Sequence, residues 1–429
     1  MSGPIDAARA GKPVPPSHDA SGGASSAHGI STATHQPVQS NNQPSGSSGP
    51  LGSPPAPDSR DAAQSPLQSR QGVGSGRRDG PAYAALDLGT NNCRLLVARP
   101  SRRGFLVIDA FSRIIRLGEG VARTGRLTDV AMARTIEALK VCSSKLVRQK
   151  VHRSRLIATE ACRAAENGPD FIDRVRREIG LDIEIVTQET EARLAVAGCA
   201  SLIDRNADLA LVFDIGGGSS ELIWLDLTGR QHAWRRSLSD RLEAQNCIAA
   251  WTSLPVGVVS LAERFGGRQV SPECFEAMVA HVYALLVDFE ARYPFRGRLA
   301  RNDVHMLGTS GTVTTIAGIH LGLERYDRSR VDGCWLPTTD VRTVVAALLA
   351  TDYQGRVAQP CVGSERADLV LAGCAILEAL LRMWPVQRLR VADRGLREGI
   401  LATLMAEDGV YRSPKRSSWE GGGGHARPA

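Results

Sequence analysis

Two aspartates in this chain each close an apolar run and open a glycine turn. In ALDLGTNNCRLLV, residues 85–97, the run delivers Asp87 to a turn of Gly89, Thr90, Asn91 and Asn92. Such a turn can aim backbone N–H groups and hydroxyls at phosphate oxygens, because glycine lets a ligand approach the backbone closely. An ordinary Asx-type hairpin turn accounts for the same residues. In LVFDIGGGSSELIW, residues 211–224, Gly216, Gly217 and Gly218 stand between Asp214 and Glu221, with Ser219 following. A glycine run loses conformational entropy and packs nothing, so a phosphate cradle with two carboxylates for a divalent cation explains it better than a flexible turn does. In LGTSGTVTTIAG, residues 307–318, Ser310, Gly311 and Thr312 lead into a helical stretch. Its N-terminal N–H groups could bind an anion, or the segment is simply a helix capped by Ser310 or Thr312. On residue type alone Glu191, in TEAR, is an exposed carboxylate at a helix start, and Arg163, in EACRAAENG, a surface arginine at another.

The elements that must position these residues follow from hydrophobic period. AYAALDLG, CRLLVARP and GFLVIDAFSRIIRLG read as a meander of strands. Residues Val130 to Val151 place apolar side chains at helical spacing, with Thr128 or Asp129 as N-cap. RLIATEA and DIEIVT read as strands, and FIDRVRREIG and QETEARLAVAGCASLI as helices. From Ala207 the pattern restarts, with LALVFDIGGG, SSELIWLDL and HAWRRSLS as strands. Asp87 and Asp214 thus hold equivalent places about 127 positions apart. A repeat of that size predicts two related α/β domains facing each other over a cleft, at residues 81–205 and 206–405.

Residues 1–80 are rich in Ser, Gly, Pro, Ala and Gln, cannot bury enough apolar surface to offset ordering entropy, and are expected to be a disordered tail; residues 406–429 are expected to form a second. With 42% hydrophobic and 23% charged residues, the 429-residue chain has the composition of a soluble globular protein. The stretch Leu369 to Leu381 carries Glu378 and is shorter than the roughly 20 residues that cross a bilayer, so it reads as a buried helix. The first 80 residues hold no secretory apolar core, which points to the cytoplasm. Nine scattered cysteines without CxxC spacing argue against disulfides and zinc and read as small core residues. The net charge of +7 is carried almost wholly by arginine. That suits either solvated faces or a polyanion-binding channel.

Taken together, the three loops with Asp87, Asp214 and Glu221 resemble the phosphate-binding apparatus of the actin-like ATPase superfamily. Within it the chain resembles the exopolyphosphatase and guanosine pentaphosphate phosphatase (Ppx/GppA) family over about residues 82–405. The further motifs are RLGEGVARTGRLTDVAMAR (116–134), ATEACRAAENG (158–168), IVTQETEARLAVAG (185–198), VGVVSLAERF (256–265) and RVADRGLREGIL (390–401). The resemblance implies two ribonuclease H-like domains, with the last motif closing the second and packing back against the first. It implies Glu191 as the general base toward water, Arg163 as a catalytic arginine facing the phosphate chain, and Asp87, Asp214 and Glu221 as Mg2+ ligands. Gly89, Thr90, Asn91, Gly216, Gly217, Gly218, Ser219, Ser310, Gly311 and Thr312 would hold phosphate. The implied substrates are inorganic polyphosphate or guanosine pentaphosphate, with no DNA and no membrane as partners, and the implied assembly is a homodimer. Cys93 and Arg94 depart from the family's first loop, which bears on substrate preference. Longer members carry a C-terminal HD-type domain, for which this sequence has neither the residues nor the His-Asp pattern, so a short form is expected. A binding-only alarmone or polyphosphate sensor is the alternative from another class. A kinase of the same superfamily is disfavoured, because no sugar site is recognisable.

Overall fold

Seven-residue runs without glycine or proline open both halves of the molecule. The computed structural model describes residues 80–101, 104–204, 206–229 and 242–411. The expected tail at 1–80 lies outside these residues except for Gly80, as does the expected strand HAWRRSLS. Of the tail expected at 406–429, the residues beyond Tyr411 lie outside. Ala406 and Glu407 end the last helix, and Val410 and Tyr411 pack on the core, so the expected boundary at 406 falls too early. β1 (Ala82–Leu88), β2 (Asn92–Ser101) and β3 (Gly104–Ile114) form an antiparallel meander. β4 (Val151–Ala158) and β5 (Glu184–Ile185) join parallel to β1, giving the order β3-β2-β1-β4-β5.

The second sheet repeats this wiring. β6 (Leu209–Ile215), β7 (Ser220–Asp226) and β8 (Ile248–Leu254) are its meander, and β9 (Val304–Thr309) and β11 (Arg388–Ala392) run parallel to β6. β10 (Trp335–Pro337) adds an antiparallel edge, giving β10-β11-β9-β6-β7-β8. β1 and β6 have the same length and the same burial pattern, buried throughout except at the penultimate residue. Those residues are Asp87 and Asp214.

The helices are α1 (Val121–Thr124), α2 (Asp129–Arg148), α3 (Glu160–Ala164), α4 (Gly168–Ile179) and α5 (Gln188–Cys199). They continue with α6 (Val258–Phe265), α7 (Pro272–Arg292), α8 (Gly311–His320), α9 (Arg328–Val331) and α10 (Thr338–Ala350). α11 (Tyr353–Ala358), α12 (Val370–Met383) and α13 (Leu396–Glu407) complete the set. The Thr128 hydroxyl, one of the two caps read from sequence, accepts from Ala131 N–H at 3.2 Å and starts α2. α2 buries Met132, Ile136 and Leu139 at helical spacing against the first sheet. It stops before Val151, because Lys150 turns left-handed (φ 48°) and Val151 opens β4. α12 is the buried helix expected around Leu369 to Leu381, and its Glu378 is paired with Arg382 and Arg342.

α13 crosses back to the first sheet. Its Ile400, Leu401 and Met405 pack with Tyr83, Ala85, Leu96 and Ile157, and the Tyr83 hydroxyl donates to Asp408 at 2.8 Å. α5 lies beside it at near-backbone contact. A Cβ on Gly198 would stand 1.9 Å from the Gly395 carbonyl oxygen, and one on Gly399 2.0 Å from that of Leu194. Ala192, Val196 and Cys199 of α5 also pack on Val212 and Ile223 of the second sheet. The helix that begins with the TEAR segment is therefore fixed from two sides. All nine cysteines are free and seven are buried. Among the described residues no helix is long and apolar enough to cross a membrane.

Candidate active site

The carboxyl ends of β1, β6 and β9 open into one cleft of about 740 Å3. Asp87, Gly89, Thr90 and Asn91 line it from the first unit; Asp214, Gly216, Gly217, Gly218, Ser219 and Glu221 from the second; Ser310, Gly311 and Thr312 from the third loop. Glu191, near the start of α5, reaches the same space. Of the residues singled out in the sequence for catalysis, phosphate, metal or substrate preference, Arg163 and Cys93 do not line the cleft; Cys93 is buried against Cys142, whereas Arg94 does line it.

Distant segments hold each loop. In the first, Gly89 N–H closes on the Asn92 carbonyl at 2.9 Å, and the Asn91 carbonyl accepts from Ile115 and Arg116 N–H. The Thr90 carbonyl accepts from Gly118 N–H at 2.9 Å, so the RLGEG segment fixes this turn. In the second, the Gly216 and Gly217 carbonyls accept from Val258 and Val259 N–H at the head of α6. The glycine run also has a packing reason that the sequence did not reveal. A Cβ on Gly217 would stand 2.9 Å from Thr90 Cβ, and one on Gly218 2.9 Å from Thr90 Oγ1. The first loop's threonine occupies the room that side chains there would need.

In the third loop the Ser310 side chain makes no cap; its Oγ is buried without a hydrogen-bond partner. Asn91 Oδ1, on a residue only 8% exposed, is likewise buried and unpartnered. Buried polar atoms are nearly always satisfied, so two orphans on one cleft mark places where a ligand's hydrogen-bonding atoms would fit.

Burial and mutual repulsion dominate the electrostatics. Burial pushes the Asp214 carboxyl up to about 8, with Glu221 and Asp87 adding to the rise and Arg94 opposing it. Asp87 is raised by burial against the pull of Arg94 and Arg397. Burial, then Glu221, raise Glu191 well above the usual carboxylate range, while Arg163 pulls it down. Glu221 is 2% exposed and raised by burial, although its Oε1 accepts from Ser219 Oγ at 2.7 Å and Ser253 Oγ at 2.9 Å. Among the described residues no three His, Cys, Asp or Glu side chains stand together as a ready metal cage. An all-oxygen set of repelling carboxylates nevertheless suits a hard divalent cation, which needs only one or two carboxylates when phosphate and water complete its shell.

Arg163 stands behind Glu191. Its Nη1 donates to Glu191 Oε2 at 3.2 Å and to the Val186 carbonyl at 2.8 Å. Its Nε and Nη2 donate to Glu160 Oε2 at 3.1 and 2.6 Å. The sequence reading missed Glu160, Ser253 and Arg397 as neighbours of this chemistry. Glu160 and Arg397 lie inside motifs quoted above, whereas nothing in the sequence singles out Ser253.

Residues 96–408 match the Ppx/GppA phosphatase family. The chain belongs to that family. The crystal structure of the Aquifex aeolicus Ppx/GppA family member has 28% sequence identity and a TM-score of 0.60 to this chain, over 76% of this chain and 98% of that one. An exopolyphosphatase structure from Cytophaga hutchinsonii has a TM-score of 0.65 at 24% identity, over 76% of this chain and 98% of its own, and supports the fold. The two sheets are accordingly a pair of ribonuclease H-like, actin-like domains. Exopolyphosphatase 2 of Mycobacterium tuberculosis (strain CDC 1551 / Oshkosh) is 28% identical over 75% of this chain and 98% of its own length. The guanosine-5'-triphosphate,3'-diphosphate pyrophosphatase of Aeromonas salmonicida (strain A449) is 26% identical over 76% of this chain. This Ppx/GppA chain spans 60% of the length of that relative.

Proposed function

We propose that this Ppx/GppA protein is a phosphohydrolase that releases terminal orthophosphate from inorganic polyphosphate or guanosine pentaphosphate. The observation that carries the reading is the convergence of Glu191 with three glycine-hydroxyl loops on one cleft. Glu191 orients a water in line with the terminal phosphorus and accepts its proton, the new P–O bond forms, and the bond to the bridging oxygen breaks, leaving the shortened chain with that oxygen. The N–H groups of the second and third loops, that of Ser219 among them, and the Thr90 hydroxyl hold the terminal phosphate, the Ser219 hydroxyl being given to Glu221. Asp87, Asp214 and Glu221 would hold Mg2+, which supplies neutralisation of the phosphate and leaving-oxygen charge when bound. The raised carboxyls favour this, because a cation would offset the carboxylate repulsion that adds to burial in raising Glu191 and Asp214.

The test is phosphate release with Mg2+ from each substrate, wild type beside Glu191→Gln. Release that Glu191→Gln lowers by about 10³ or more, in the range of other lost catalytic groups, supports hydrolysis and ranks the substrates. Tight binding of either compound without release would hand the molecule to the sensor reading.

A further inference from the structure

We propose that Glu160 is a positioning residue for Glu191, acting through Arg163; the inference rests on the hydrolytic reading above. Glu160 is the first residue of α3 and Arg163 lies three positions on, one turn along the same helix. The two-donor edge of the guanidinium, Nε and Nη2, is docked on Glu160 Oε2. That docking leaves Nη1 as the group facing Glu191, where it also donates to the Val186 carbonyl. The side chains of Glu160, Arg163 and Glu191 are only 20, 19 and 14% exposed, so water does not readily replace any member of the set.

Glu160 is also tied to the second phosphate loop. It lines the cleft, and its Cγ would stand 3.0 Å from a Cβ on Gly218, so its stem fills the space beside that glycine. A bare carboxylate there would repel a polyanionic substrate. Pairing with Arg163 neutralises it, which argues that Glu160 works through the arginine and not by touching phosphate. The same docking makes Arg163 a brace between two carboxylates. With Glu160 removed, the free Nε/Nη2 edge can rotate onto Glu191 and take the carboxylate out of line with water.

The experiment is steady-state kinetics with polyphosphate and Mg2+ on Glu160→Ala, Glu160→Gln, Arg163→Ala and the Glu160→Ala/Arg163→Ala double variant, with thermal melts alongside. Glu160→Ala is expected to lower kcat by about 10- to 100-fold, the scale of a small misplacement of a reacting group, with KM within about twofold. Glu160→Gln keeps an acceptor for Nε and Nη2 and is expected to recover most of the loss. The double variant is expected to be no slower than Arg163→Ala alone, since one residue acts through the other. Losses that multiply in the double variant, or a rise in KM at unchanged kcat, would overturn the inference and make Glu160 a direct substrate contact. A wild type without turnover sinks the hydrolytic reading; a wild type that turns over beside an unimpaired Glu160→Ala sinks only this one.

Discussion

β1 and β6 share length and burial pattern, and the β1–β2 and β6–β7 ladders share register at the turn, yet they place opposite charges at the same point. Asp87 pairs across its ladder with Arg94, and Asp214 pairs at the equivalent position with Glu221. Arg94 pulls both aspartates down, whereas Glu221 pushes Asp214 up. The third strands diverge too. β8 sends the Ser253 hydroxyl to Glu221, while β3 turns Asp109 outward to Lys145, Arg148 and Gln149 of the α2 end. One backbone device occurs twice, and charge sets the two apart at the cross-strand position: the partner of Asp87 is a cation suited to attracting phosphate, and the partner of Asp214 an anion suited to a cation.

The largest effect should come from erasing that division at its anionic point. Glu221→Gln keeps the shape and the Ser219 and Ser253 contacts but removes a charge, and is expected to lower kcat by about 10²- to 10³-fold. Arg94→Gln should instead raise KM about tenfold, the weight of one charge-assisted hydrogen bond, with little change in kcat. Steady-state kinetics on both variants measures the contrast; equal effects on both parameters would break the comparison.

A smaller effect separates the glycines of the two turns. Gly217→Ala would press its Cβ to 2.9 Å of Thr90 Cβ and is expected to destabilise by about 1–3 kcal/mol, as overpacking does. Gly89→Ala meets nothing nearer than 3.4 Å and should stay within about 0.5 kcal/mol of wild type. Urea unfolding of both decides whether the second loop is the sterically committed one.

How much of this the sequence disclosed follows the range of the interactions. The runs that became β1, β2, β6 and β7, the choice of Thr128 or Asp129 as cap and the positions of the three turns are local signals and were legible. β8 escaped because a single apolar-polar run, Ile248–Leu254, carries no glycine turn of its own. The reason for Gly217 and Gly218 was invisible, since Thr90 meets them from about 127 residues away in the chain. The same holds for Gly198 and Gly399, whose small size lets α5 and α13 touch. The orientation of Arg163 was also hidden: Glu160 stands three positions before it in a quoted motif, but nothing in the motif showed that this carboxylate would take the guanidinium.

The last contrast concerns the third strands and is one of stability. Burial pushes the Asp109 carboxyl up, but hydrogen bonds from Lys145, Gln149 and Arg148 outweigh it and hold the group down at about 2. A carboxylate with a folded pKa below its unfolded value contributes stability that is complete above the unfolded value and lost as pH falls through the folded one. The 11% exposed side chain should therefore contribute about 2 kcal/mol at neutral pH, fading between about pH 4 and pH 2. Asp109→Asn is expected to lower the unfolding free energy by about that amount at pH 7. Its deficit should shrink toward zero in acid, and kcat should be unchanged because Asp109 faces α2 and not the cleft. A deficit that persists undiminished at pH 2 would mean that β3 holds α2 by packing and neutral hydrogen bonds. Charge would then set the two meanders apart at their second strands alone.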